Sequence, residues 1–428
     1  MTLEQIHKLF LECNGVSTDT RKITWNSMFF ALKGSNFDGN TFSKDAIKLG
    51  AKYVIIDNKD YALGSNTILV NDVLETLQKL ATFHRLFLGT EILALTGSNG
   101  KTTTKELINA VLSKKFKTMA TAGNLNNHIG VPLTLLSLTN ETEIGIVEMG
   151  ANHQKEIEFL CNIALPDCGY ITNFGKAHLE GFGGVEGVIK GKSEMYTHLI
   201  NTNKTIFINN DDPIQIEKTK HANTVTFGTK QESDNTVIKL KSSEPYVSVV
   251  FNNISINSQL IGEYNFSNIS AAVAIGIYFG VTINAIKDAI ENYIPSNNRS
   301  QILKKGTNKI ILDAYNANPT SMRAALTNIN NQKENKKILF LGDMFELGKD
   351  SKLEHEGIVK LTQDMNLENC YYIGENFFSI KDNDYPGEFF KSFEDFKNHV
   401  MTLQFDDSLI LIKGSRGMAL ERILDILH

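Results

Sequence analysis

Short apolar runs alternate with stretches of helical spacing over most of the chain. Residues 28–32, 53–57 and 67–70 read as strands set between helical patterns, and they predict a small α/β unit ahead of Phe87. Further apolar runs at 92–95, 144–147, 169–172 and 205–209 are again separated by helical patterns. Alternation of this kind predicts a mainly parallel sheet. Between Ile238 and Ile261 the period falls to two with turn residues between, which predicts antiparallel strands appended to that sheet. Two helical patterns, 266–279 and 283–293, lead into the polar stretch PSNNRSQ from Pro295, a hinge candidate. Beyond it KIILDAYNANP, KILFLGD, CYYIGEN and SLILIKGS each supply an apolar run predicted to lead into a helix.

A chain of 428 residues is long enough for two or three domains with separate cores. The pattern divides it at 1–88, 89–297 and 298–428. Lys+Arg 43 against Asp+Glu 48 gives a net charge of -5 without a basic block, which argues against a nucleic-acid surface. Cys13, Cys161, Cys168 and Cys370 lack metal-ligand spacing and read as reduced thiols. The N-terminal MTLEQIHKLF begins an amphipathic helix, with no signal-peptide core, and no apolar run is long enough to span a bilayer. A soluble, cytoplasmic protein is expected.

The chemistry concentrates first at residues 96–104, TGSNGKTTT, where an apolar run meets a helical pattern. A glycine-rich turn opening a helix offers backbone N–H groups and the positive helix end to an anion. Gly97 and Gly100 allow close backbone approach, with Ser98, Asn99 and Thr103 completing the turn. Lys101 is placed to reach β- and γ-phosphates and Thr102 to ligate Mg²⁺. The usual pattern carries glycine where this chain has Leu95, so the match is to the shorter GxxGKTT form. A nucleoside triphosphate is the expected ligand.

Glu148 ends an apolar strand, where the crevice of a parallel sheet opens, and can serve as a Mg²⁺ ligand beside Thr102. A solvated strand-end glutamate is the competing reading. His178 lies just beyond another strand among glycines, and a lone histidine there is more often an ordinary polar residue than a functional one. Lys192, at a predicted helix start, reads as a solvated charge. Its functional alternative is carbamylation by CO₂, which would turn it into an anionic metal ligand.

These pieces occur together in one order. STDTR (Ser17 to Arg21), FFALKGSNFDGNTF, TGSNGKTTT, GNLNNHIGVP, EMGANH, ITNFGKAHLEGFG, KSE at Lys192, NNDD, GEYNFSNISAA, DAYNANPTSM, LGDMFELG and KGSRGM follow in register along essentially the whole chain. In this respect the sequence resembles the Mur ligases, the ATP-dependent amide-forming family of peptidoglycan synthesis. Within the family it is most similar to the branch that adds D-alanyl-D-alanine to UDP-N-acetylmuramoyl-tripeptide. The resemblance implies an α/β protein of three domains. These are a small UDP-binding domain, a central P-loop parallel-sheet ATPase domain with an added antiparallel part, and a C-terminal Rossmann-like domain that closes over the nucleotide and binds the dipeptide.

Carried over by position, it implies one Mg²⁺ on Thr102 and Glu148, and a second on His178 and carbamylated Lys192. Lys101, Glu148, His178 and Lys192 would be catalytic. ATP would meet residues 97–103, with Asn265 and Asn268 at the adenine and Arg299 and Asp313 on the C-terminal side. Ser17, Thr18, Asp19, Arg21, Lys33, Asp38, Asn126 and Asn127 would serve the UDP substrate, and Tyr315, Asn316, Asn318, Lys413 and Arg416 the dipeptide. A monomer is the family default. Two departures stand out: Asn40 replaces a common histidine, and the hinge lacks the glycine that often precedes the arginine. A sister ligase adding a diamino acid usually carries a DNPR-type signature, absent here. Folylpolyglutamate synthases lack a full domain ahead of the phosphate loop. A non-catalytic nucleotide-binding regulator would have no use for Lys101, Glu148, His178 and Lys192 together.

Overall fold

In the computed structural model, all residues are described except 232–234, 296–297, 335 and 428. Ser296 and Asn297 of the expected hinge, and with them the 297/298 boundary, therefore lie outside the described residues.

The N-terminal region folds around a four-stranded parallel sheet, in the order Val16–Ser17, Ser27–Phe30, Ala51–Ile56, Thr67–Leu69. A Thr2/Gln5 capping box starts the first helix, Leu3–Leu11. Helix Val73–Leu88 is capped by Asp72 and stopped by Gly89, and the chain then turns straight into the next sheet.

That second sheet has seven strands, all parallel, in the order Asn235–Val237, Thr224–Gly228, Thr205–Asn209, Cys168–Ile171, Glu91–Thr96, Ile144–Glu148, Thr118–Ala120. Its inner strands are buried along their length, as a parallel sheet covered on both faces requires. Strand Glu91–Thr96 sits where the connections reverse direction across the sheet, with earlier-used neighbours on one side and later ones on the other. The carboxyl end of such a strand opens onto the ligand crevice of an open α/β sheet.

The period-two segment does not extend this sheet. Strands Lys239–Ser242, Ser248–Phe251 and Ile254–Asn257 form an antiparallel sheet of their own. Its apolar face shares a core with helices Lys101–Leu112, Asn265–Tyr278 and Ile283–Glu291, so burial on the helices replaces pairing to the large sheet. Helix Asn265–Tyr278 runs close along Lys101–Leu112; a Cβ on Gly276 would come within 2.5 Å of Val111.

The C-terminal sheet has six strands, with Gln301–Lys305 antiparallel at one edge and the others parallel. Two edge strands, Gln301–Lys305 and Glu388–Phe390, were not legible as apolar runs because each is partly exposed. The run at 409–413 also departs from expectation, leading into two 3₁₀ turns rather than an α-helix. No helix among the described residues is long and apolar enough to cross a membrane.

Candidate active site between two sheets

Residues 97–100 leave strand Glu91–Thr96 and enter helix Lys101–Leu112 directly. Both glycines of the turn are required by the space around them. Gly97 has φ +142°, and a Cβ there would lie 2.0 Å from Thr172 Oγ1; Gly100 has φ +78°, with Asn268 Oδ1 2.6 Å from the same notional atom. The helix has no side-chain cap, so its first N–H groups are left for an anion. The Lys101 amine bends back onto the loop, donating to the carbonyls of Gly97 (2.7 Å) and Ser98 (3.3 Å). Burial pulls its pKa down from the usual lysine value, against the pull of Glu148.

A cavity of about 590 Å³ opens above the turn. Its wall includes Ser98 to Thr103 from the loop, and Asn126, Asn127, Glu148 and His178 from neighbouring strand ends. Asn265, Asn268, Arg299, Asp313, Tyr315, Asn316, Asn318 and Lys413 line the remainder. The sequence-derived candidates are thus drawn together from positions more than 300 residues apart.

Glu148 is 1% exposed. It accepts from Thr102 Oγ1 (2.9 Å) and Asn126 Nδ2 (2.8 Å), and Thr121 Oγ1 fixes its backbone N–H. Asn126, expected on the UDP side, is therefore joined to the carboxylate. A buried carboxylate against a hydroxyl, with the Lys101 and Lys105 amines given to backbone carbonyls, suits a divalent cation. Among the described residues no three His, Cys, Asp or Glu side chains converge, so a cation here would draw further ligands from substrate and water, as Mg²⁺ commonly does.

His178 lines the cavity with φ +53°, and its Nδ1 pairs with Glu346 of the C-terminal region. Lys192 stands at the end of helix Val185–Lys192, not at a helix start, and does not line the cavity. It is 1% exposed, donates to the Ala151 carbonyl (3.1 Å) and lies 5.1 Å from the centre of the Phe182 ring. Burial, reinforced by Lys101, pushes its amine far below the ordinary lysine pKa. The solvated-charge reading of Lys192 is thereby overturned.

Asn268 lies under the phosphate loop, accepting from Thr104 Oγ1 (3.0 Å) and donating to Asn265 Oδ1 (2.8 Å). Asp313 accepts from the 2% exposed Lys413 side chain (2.5 Å) and from the Ser300 N–H (3.1 Å). Lys413, expected on the dipeptide side, thus spends its charge on a residue expected at the nucleotide. Arg299 stacks on Tyr315, 3.7 Å from the ring centre. Arg416 is not part of the cavity wall; it pairs with Glu421 (2.7 Å), and its guanidinium lies 6.0 Å from the Tyr315 ring centre.

The remaining UDP candidates lie on the N-terminal region. Asp19 takes a two-point contact from the exposed Arg21 (2.9 and 2.8 Å) and Ser17 Oγ donates to the Asp19 carbonyl, with Thr18 between them. Lys33 pairs with Asp57 (2.8 Å). Asn40, the histidine replacement, is fully buried and bonds Asp38 and Asp57 together.

Sequence reasoning missed Lys176 and Glu354 where the two sheets join, and named Asn99 and Asn318 without their pairing. Lys176 donates to Glu354 (2.5 Å), a side chain only 6% exposed, and Asn318 Nδ2 donates to Asn99 Oδ1 (2.7 Å). Glu346 sits inside LGDMFELG, so a motif marked it without stating its partner.

Three family models match the chain: the Mur ligase family catalytic domain over residues 12–85, the Mur ligase middle domain over 95–276, and the Mur ligase glutamate ligase domain over 298–416. A protein from Bacillus subtilis called UDP-N-acetylmuramoyl-tripeptide–D-alanyl-D-alanine ligase is 34% identical, over 96% of this chain and 92% of its own. The Escherichia coli protein of that name is 31% identical over 97% and 94%. Among solved structures, MurF from Acinetobacter baumannii superposes with a TM-score of 0.86 at 30% identity, covering 100% of this chain and 98% of that one. MurF ligase from Thermotoga maritima in complex with ADP gives 0.84 at 26% identity over 97% of both chains. Matched in all three segments and over nearly its full length, this chain belongs to the Mur ligase family.

Proposed function

We propose that this chain is an ATP-dependent ligase joining the amine of D-alanyl-D-alanine to the terminal carboxylate of UDP-N-acetylmuramoyl-tripeptide, giving the UDP-linked pentapeptide of peptidoglycan synthesis in the cytoplasm. The observation that carries the reading is the buried Thr102–Glu148 pair beside an uncapped, glycine-opened helix, at the mouth of a cavity completed by the C-terminal region. Relatives bearing that activity in their names match 96% and 97% of this chain.

Carboxylate and amine do not condense unaided, so the carboxylate must first take a phosphoryl group. Both reactants of that step are anions. The loop N–H groups and Lys101 would hold the triphosphate and offset its charge, with Lys101 exchanging the Gly97 and Ser98 carbonyls for phosphate oxygens. Thr102 and Glu148 would hold one Mg²⁺, and His178 with carbamylated Lys192 a second. The metal ions would supply charge neutralisation between carboxylate and phosphate. Burial that lowers the Lys192 pKa favours the uncharged amine, the nucleophilic form that CO₂ requires, and so supports a carbamate there. The amine of D-alanyl-D-alanine then attacks the acyl phosphate and phosphate leaves. Docking of the C-terminal region excludes water from that hydrolysable intermediate.

The test is ATP-dependent phosphate release with UDP-N-acetylmuramoyl-tripeptide, comparing D-alanyl-D-alanine with single amino acids. Release that requires the dipeptide, with a UDP-linked pentapeptide by mass, is expected. Release with a single diamino acid on the shorter UDP-dipeptide would move the chain to the sister ligase. Lys192→Ala should abolish turnover and retain ATP binding; unchanged activity would remove the carbamate from the mechanism.

A further inference from the structure

The contact between His178 and Glu346 lies in an unusual setting. Both residues have left-handed backbones, at φ +53° and +62°, a conformation unfavourable for a non-glycine residue that persists where the surroundings over-determine it. The surroundings here do so. The Glu180 N–H donates to the Glu346 carbonyl (3.2 Å), and Gly348 packs so closely on Glu180 that a Cβ would lie 3.2 Å from its side chain. On the other side of His178, the Lys176 N–H donates to Thr320 Oγ1 (3.0 Å) and its amine reaches Glu354. Backbone groups flanking both partners are therefore tied across the seam, which leaves the two side chains little freedom except to meet.

The pair itself adds little to stability. Glu346 is 52% exposed, and solvent screens a pair of that exposure. What the contact does fix is the ring. In the neutral ring, a carboxylate at Nδ1 keeps the proton on that nitrogen, sets the ring plane, and leaves the Nε2 lone pair free.

We propose that Glu346 is a positioning residue for the ligase reaction: it reaches across from the C-terminal region and holds the His178 imidazole in one tautomer and one orientation at the cavity wall. His178 is thus correctly presented only when the two regions are docked, so the region that is to deliver the amine also arms a side chain of the region that binds the triphosphate. This rests on the ligase reading of the cavity.

Two measurements test it. With ¹⁵N-histidine labelling, and His178→Gln to assign the signals, the neutral His178 ring should show a single Nδ1–H tautomer in the unsubstituted protein and a mixture in Glu346→Ala. Turnover of Glu346→Ala should fall roughly 10- to 100-fold, the usual cost of removing a carboxylate behind a functional histidine. The KM for ATP should stay within about twofold, because the phosphate loop is untouched. Glu346→Gln should recover most of the rate, since its amide oxygen still accepts from Nδ1–H. Lys176→Ala loosens the same seam without touching the ring and should cost less than about threefold. The inference is overturned if the tautomer or the rate is unchanged in Glu346→Ala, or if Lys176→Ala is as damaging. If the unsubstituted protein lacks ligase turnover while the tautomer shift occurs, the function reading fails and the Glu346 contact stands.

Discussion

Thr102, Glu148 and Asn126 meet within one sheet and the segments that follow its strands. Across the cavity, His178 meets Glu346 and Asn99 meets Asn318 only because a second sheet is docked opposite. The first corner is a product of local chain geometry: adjacent parallel strands put their carboxyl ends side by side, and a glycine turn adds a helix end. The second is a product of assembly, and its bonds link residues 144 to 219 positions apart. A reaction with a hydrolysable intermediate gains from this division, because triphosphate can bind to the prebuilt corner while the chemistry waits for the assembled one.

The largest effect should come from the prebuilt corner. Glu148→Gln keeps the volume and one of the two accepted hydrogen bonds but removes the buried charge facing the loop. Turnover should drop roughly 10²- to 10³-fold, the scale of losing one preorganised electrostatic contact. Circular dichroism should remain that of the unsubstituted protein. A loss of fold along with activity would mean that the carboxylate is structural and that the corner is not independent of its surroundings.

Lys413→Met probes a charge pair lying within the C-terminal region yet facing the cavity. It leaves Asp313 without its cation, and breaking a pair this buried costs roughly 3–5 kcal/mol. Thermal melting should show it. Adding Asp313→Asn should restore much of the stability without restoring turnover, because the neutral pair repacks but presents no charge to the ligand. Recovery of both would place Asp313 outside the nucleotide site.

The prebuilt corner was largely legible in the sequence; of the assembled one, His178, Asn99 and Asn318 were marked but none of their pairings. Strand, turn and helix around Gly97 and Gly100 are contiguous, so periodicity and glycine placement state the local geometry. Glu148 follows from lying at the end of an apolar strand. Lys192 was misplaced at a helix start because helices Val185–Lys192 and Glu194–Asn201 are separated by a single residue, and their periodicities run together. Its burial depends on Phe182 and Ala151, which pattern alone does not bring near. Glu346, Glu354 and Thr320 carry no local signal of their partners. Pairing across the seam is decided by how two sheets dock, and only the recurrence of LGDMFELG as a motif pointed to that loop.

Asn318 belongs to both kinds of structure and separates them at the smallest scale. Its Oδ1 caps helix Pro319–Asn331 by accepting from the Ser321 N–H (2.9 Å), in a capping box, while its Nδ2 crosses the seam to Asn99 Oδ1. Asn318→Ala removes both contacts. Loss of the cap should cost about 1 kcal/mol, which corresponds to roughly 2–4 °C in melting temperature for a domain of 150–250 residues. Asn318→Asp keeps an oxygen on Ser321 and adds a negative charge at the helix N-terminus, where the helix dipole favours it. It gives up only the donation to Asn99. The aspartate variant should therefore melt with the unsubstituted protein and lose turnover by a few-fold, because only the seam is disturbed. If the alanine and aspartate variants melt alike, Asn318 matters for docking and not for its helix. If the aspartate variant retains full turnover, Asn99 has found another way to face the seam, and the contact is dispensable to the assembled corner.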